Sequence, residues 1–231
     1  MTRHRLLLGL LAVVLTVAVS TTVLARAGAG TDPCVVKGEQ AARRGAVVTG
    51  SGPPVLVIGD SYSVGAGVDP RQSWPTRLPG RVEVDGFSGS GFSRGASGCG
   101  DVSYGTRARS AVRPGLDLVV VEGGLNDADR PPAELEAGVE RLMRALTRRV
   151  PAARVLVVGP PPAPLLRYAD VAAVDATLAR LAAGHGAAYL SMLDVELSYL
   201  DDALHPDPAG HRTFGDRVAA RVGELLAAQA R

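Results

Sequence analysis

Three short stretches hold the residue types that hydrolysis at a carbonyl requires. Gly59-Asp60-Ser61 offers a hydroxyl nucleophile, and Gly123-Gly124-Leu125-Asn126-Asp127 offers a side-chain amide. Asp202-Ala203-Leu204-His205-Pro206 offers an imidazole with a carboxylate three residues before it. A serine attacks only when a base takes its proton and a third group orients that base. The charge that develops on the carbonyl oxygen needs N–H donors aimed at it. Ser61, His205, Asp202 and Asn126 are one candidate for each role. In a tight turn, a carboxylate at this offset reaches the imidazole Nδ1 and leaves Nε2 for the serine. Asp201 is the neighbouring alternative, and the three-residue offset favours Asp202.

The elements that must carry these groups are short. Strands are expected at Val55–Ile58, Arg81–Val84, Asp117–Val121, Arg154–Val158 and Ala187–Leu190. Leu135, Val139, Leu142, Leu146 and Val150 recur at helical spacing between the third and fourth. A helix is expected over Val171–Leu181, and a last one starts near Pro208 with Phe214, Val218, Val222 and Leu225 on one face. Nearly all-apolar strands alternating with helices mean a parallel sheet covered on both faces. In such folds ligands bind beyond the carboxyl ends of the strands. Ser61 follows strand one, Asn126 strand three, and His205 lies in the loop after strand five. Topology therefore brings the three to one edge.

The chain has 231 residues, 46% of them hydrophobic, enough for one domain with a real core. Its start is of another kind. Arg3 and Arg5 precede an uncharged, mostly apolar run from Leu6 to Leu24, followed by Ala25-Arg26-Ala27. That order is a secretory signal peptide over residues 1–27, with an uncleaved membrane anchor as the alternative. Both readings export the domain, as a secreted or a cell-surface protein, and only the second involves a membrane. Residues 28–54 read as a linker or loosely held lead-in, and 55–231 as the working domain. The formal charge of +2 includes three of the 25 basic residues in the export segment, so the rest holds 22 bases against 23 acids. No basic field exists to attract nucleic acid.

Two patterns invite misreading. Gly91-Phe92-Ser93-Arg94-Gly95 matches the Gly-x-Ser-x-Gly nucleophile elbow, which needs a strand before it and a helix after it. Gly86–Gly91 is too rich in glycine and serine for that strand, so Ser93 is expected to be a solvated alcohol. Gly59…Gly65-Ala66-Gly67 has neither dinucleotide-binding spacing nor a P-loop lysine. Trp74 is expected in the core. His185 and His211 are expected to cap or pack at their helices.

The blocks quoted above, in this order from Val55 to His211, resemble the SGNH, or GDSL-type, hydrolase family. The resemblance implies a flavodoxin-like three-layer α/β/α domain on a five-stranded parallel sheet, and an esterase that needs no cofactor or metal. It implies Ser61 as nucleophile, His205 as base and Asp202 as its orienter. It also implies an oxyanion hole from the Ser61 N–H, the Asn126 amide and a glycine N–H of the second block. That block is Phe87-Ser88-Gly89-Ser90-Gly91-Phe92 here, without the asparagine often found ahead of the family's glycine. Gly89 is the expected donor and Gly91 its rival. The implied substrate is a small-molecule, glycan or lipid ester, and the expected state is a monomer. An acyltransferase using the same triad, or a non-catalytic binding module on the same fold, are the alternative readings.

Export and an even count make Cys34 and Cys99 a disulfide pair, with no Cys-x-x-Cys or metal-site spacing around either. Closing a loop of that length is worth roughly 4 kcal/mol on the chain-entropy account. Non-reduced peptide mapping of exported protein is expected to recover one Cys34–Cys99 crosslinked peptide. Free thiols at both positions would overturn the pairing.

Overall fold

The computed structural model describes residues 31–229. The architecture below belongs to the compact unit that begins at Lys37. Residues 1–27, expected to direct export, lie outside the described residues. Among these, no helix is long and apolar enough to cross a membrane. Both cysteines are disulfide-bonded.

Five parallel strands form one sheet: β1 (Pro54–Gly59), β2 (Arg81–Gly86), β3 (Leu118–Glu122), β4 (Arg154–Val158) and β5 (Ala188–Leu190). Their order is β2-β1-β3-β4-β5, the doubly wound arrangement of flavodoxin. Each strand falls where the apolar runs predict it, with ends displaced by no more than two residues. The helices are α1 (Pro33–Gly45), α2 (Ser61–Val64), α3 (Tyr104–Ala111), α4 (Pro132–Arg149), α5 (Tyr168–Gly184) and α6 (Pro208–Gln229).

Period-two alternation along the strands divides the core into two layers. Leu56, Ile58, Val119, Val121 and Val157 face α3, α4 and α5, where Ala108, Leu142, Leu146 and Leu178 meet them. Val55, Val57, Val82, Val120, Leu156 and Val158 face α6, which presents Phe214, Val218 and Val222. Trp74 is fully buried in that second layer, 5.3 Å from the Phe214 ring. The result is the expected α/β/α sandwich. Asp207 starts α6 by accepting the N–H groups of Ala209 and Gly210, both at 2.8 Å, an N-cap ahead of Pro208.

Three expectations need correction. The lead-in of residues 28–54 holds α1, whose Arg44 is fully buried and donates to Ser73 Oγ and to the Val47 carbonyl, each at 2.9 Å. Burial pushes the Arg44 guanidinium down to about 10. A lone arginine anchor leaves no apolar period for sequence reading to detect. The second is α3, a helix at Tyr104–Ala111 where the apolar patterns predict none. The third is Ser93: no strand precedes it, as expected, yet it is buried rather than solvated. Its N–H donates to the Asp127 carboxylate at 2.8 Å, and its hydroxyl has no partner among the described residues.

Candidate active site

Strand β1 ends at Gly59 and the chain turns at once into α2, which begins at Ser61. Asp60 makes that turn by capping the helix: its Oδ1 accepts the Tyr62 N–H at 2.9 Å. Gly59 is required there, because a side chain would run into Ser63 and the Glu122 carboxylate. Ser61 itself is only 8% exposed. The serine is held at a strand tip by a cap rather than left on a loop.

Asn126 arrives from the end of β3 on a 3-10 turn, Leu125–Asp127. Its Nδ2 donates to the Ser90 carbonyl at 2.8 Å and reaches Asp60 Oδ2 at 3.2 Å. The neighbouring Asp127 turns its carboxylate the other way and accepts the N–H groups of Phe92, at 3.0 Å, and Ser93. The second block is thus fastened to the end of β3 by both side chains. Gly89 is the third residue of a turn closed by Ser90 N–H to the Phe87 carbonyl at 3.0 Å, and it has φ of +80°. That conformation alone explains a glycine. Gly91 directly follows the peptide carbonyl that holds Asn126, and a side chain on it would collide with the Asp127 carboxylate.

The loop after β5 brings the candidate base, His205. His205 Nδ1 lies 2.6 Å from Asp202 Oδ2, while Asp202 Oδ1 accepts the N–H groups of Leu204, at 3.0 Å, and His205, at 2.8 Å. The turn that permits all three passes through Ala203 at φ of 56°, the one non-glycine residue with positive φ among those described. Strain of this sort persists only where the surroundings over-determine it. The hydrogen bonds from His205 hold the Asp202 carboxyl down to about 2. Tyr62, next to Ser61, donates its hydroxyl to the Leu204 carbonyl at 2.6 Å, and its ring centroid is 6.3 Å from that of His205. Among the described residues no direct hydrogen bond joins Ser61 to His205. Such contacts are often loose until substrate binds.

Electrostatics separates the two aspartates. Burial raises the Asp60 carboxyl to about 6, against the opposing pull of the Tyr62 N–H and of positive charge on His205. Glu122, at the end of β3, accepts the Ser63 hydroxyl at 2.6 Å, and burial beside Asp60 pushes its carboxyl well above the usual range. Sequence reading passed over Glu122, although a lone acid closing an apolar strand is a visible anomaly. Tyr62, Tyr104 and Arg107 also escaped it. Among the described residues, no cluster of three or more His, Cys, Asp or Glu is arranged to hold a metal.

Residues 57–213 match the GDSL-like Lipase/Acylhydrolase family, and the chain belongs to it. The class is that of hydrolases acting on ester bonds. The GDSL lipase Rv0518 of Mycobacterium tuberculosis is 31% identical over 75% of this chain and 83% of its own. Esterase TesA of Pseudomonas aeruginosa is 35% identical over 46% of this chain and 53% of its own. Among solved structures, a carbohydrate acetylesterase from Sinorhizobium meliloti, Est24, superposes with a TM-score of 0.65 at 20% identity. The match covers 75% of this chain and all of Est24. At that identity the likeness bears on the fold alone.

His211, on α6, is fully buried with both ring nitrogens unpartnered among the described residues. Burial, assisted by repulsion from His205, lowers it from 6.5 to about 4. A histidine with a depressed folded pKa binds fewer protons folded than unfolded between those values, so stability falls as pH drops through that window. The slope is about 1.4 kcal/mol per pH unit at most. In urea titrations from pH 7 to pH 4, His211→Phe is expected to lose less stability than the wild type. Parallel curves would contradict the assignment.

Proposed function

We propose that the chain is an exported serine esterase that works through an acyl-enzyme on Ser61. The observation that carries this reading is the 2.6 Å bond between His205 Nδ1 and Asp202, on the loop tied by Tyr62 to the helix that starts at Ser61. Asp202 fixes the imidazole so that Nε2 is free to act as base. His205 takes the Ser61 proton as Oγ attacks the ester carbonyl, and returns it to the departing alkoxide oxygen. Water then attacks the acyl carbonyl and gives its proton to His205, which passes it to Ser61 Oγ as that oxygen leaves and the carboxylic acid is released.

Three N–H groups receive the oxyanion: that of Ser61, that of Asn126, and a backbone donor from the second block. Of the two N–H bonds of Asn126, the one toward Asp60 at 3.2 Å is the weaker and the one an incoming oxygen can draw away. Gly91 is preferred to Gly89 as the backbone donor. Gly89 is accounted for by its turn, while Gly91 adjoins the peptide that grips Asn126. Export rests on the pattern of residues 1–27 and agrees with the disulfide-bonded cysteines. Short-chain carboxylic esters, free or on a glycan, are the proposed substrates, by analogy with the carbohydrate acetylesterase Est24, whose fold this chain shares.

A fluorophosphonate probe is expected to label Ser61 alone, and Ser61→Ala to abolish both labelling and turnover, while Ser93→Ala keeps its active-site label. Asn126→Ala is expected to lower kcat on an aryl acetate by about 10²–10³ with little change in KM. A label on Ser93, or an Asn126→Ala enzyme with full kcat, would sink the corresponding role.

A further inference from the structure

Arg107 lies on α3, outside every motif that points to catalysis, yet it touches the backbone on two sides of the site. Its side chain is only 12% exposed. Nη2 donates to the Gly59 carbonyl at 2.7 Å and to Ser90 Oγ at 3.1 Å. Nη1 donates to the Asp85 carbonyl at 2.6 Å and lies 2.9 Å from the Asp85 carboxylate. Nε donates to the Val102 carbonyl at 3.0 Å. The guanidinium carbon stands 5.4 Å from the centroid of the Tyr104 ring, whose hydroxyl reaches Asp60 Oδ2 at 3.4 Å.

These acceptors are not scattered. Gly59 is the last residue before the nucleophile turn. Asp85 precedes the last residue of β2. Ser90 carries the carbonyl that holds the Asn126 amide. A guanidinium presents five N–H groups in one rigid plane, so it can fix distances among several acceptors at once. A lysine ammonium, a point charge on a flexible stem, cannot hold the same fork.

We propose that Arg107 is a positioning residue, which sets the spacing between the Ser61 turn and the second-block peptide that aims Asn126. It touches no substrate. It rests on the esterase reading above, since it matters only if Ser61 attacks and Asn126 receives the oxyanion. A displacement of 1 Å at such a site costs on the order of 10²-fold in rate.

The test compares Arg107→Lys and Arg107→Ala with the wild type, using the full chain, an aryl acetate and circular dichroism to confirm folding. The expected result is a kcat lowered about 10- to 100-fold in folded protein, with KM within about twofold. Millimolar guanidinium is expected to restore part of the kcat of Arg107→Ala and to leave the wild type unchanged, a rescue that a purely structural role would not show. Folded variants with wild-type kcat would overturn the proposal, as would a loss confined to KM. Failure of both variants to fold would also overturn it, by making Arg107 a residue of the fold. Wild-type turnover that survives Ser61→Ala would instead bring down the esterase reading, and Arg107's role with it.

Discussion

A buried carboxylate must find hydrogen bonds, and in this protein that requirement falls on Asp60. Its side chain has lost almost all contact with water, and burial raises it to about 6. The donors that compensate come from separate parts of the chain: the Tyr62 N–H in α2, the Asn126 amide after β3 and the Tyr104 hydroxyl in α3. Satisfying one carboxylate therefore assembles the serine turn, the amide and the helix behind them. The sheet brings their strands to a common edge, and Asp60 draws them to within a few ångströms.

The proposed base, His205, is held by a different arrangement. Asp202 is half exposed, and charge-assisted hydrogen bonds hold its carboxyl down to about 2. It therefore stays ionised wherever the imidazole could need it. Its turn is local and carries the backbone strain at Ala203, so it does not depend on the packing that raises Asp60 and Glu122. The hydroxyl of Tyr62 on the Leu204 carbonyl links the two systems, joining the residue after the proposed nucleophile to the residue before the proposed base.

What could be read from the sequence follows from where the signal lay. The strands were legible because every residue from Leu118 to Val121 is buried, which leaves an unbroken apolar run. Helices α4 and α6 were legible through their apolar faces. Helix α1 was not, because its buried anchor is Arg44, and α3 was not, because its buried face is Tyr104, Gly105 and Ala108. At the candidate site, Ser61, Asn126, Asp202 and His205 could be proposed from residue type and order along the chain. The groups that aim them could not. Asp60 reads in the sequence as part of a motif, and its use as a cap and as the acceptor for Asn126 appears only when β1 and β3 are side by side. Gly89 and Gly91 are equivalent as letters, and differ only in φ and in what lies over their Cα atoms.

The account stands or falls on covalent chemistry at one hydroxyl, and acid-quenched rapid mixing with an aryl ester examines it directly. With the full chain, it predicts an acyl mass on the peptide that contains Ser61, formed as the aryl alcohol is released and lost again on further incubation. In Asn126→Ala protein the same adduct should form more slowly. An acyl group found on any other side chain, Ser93 included, would contradict the account.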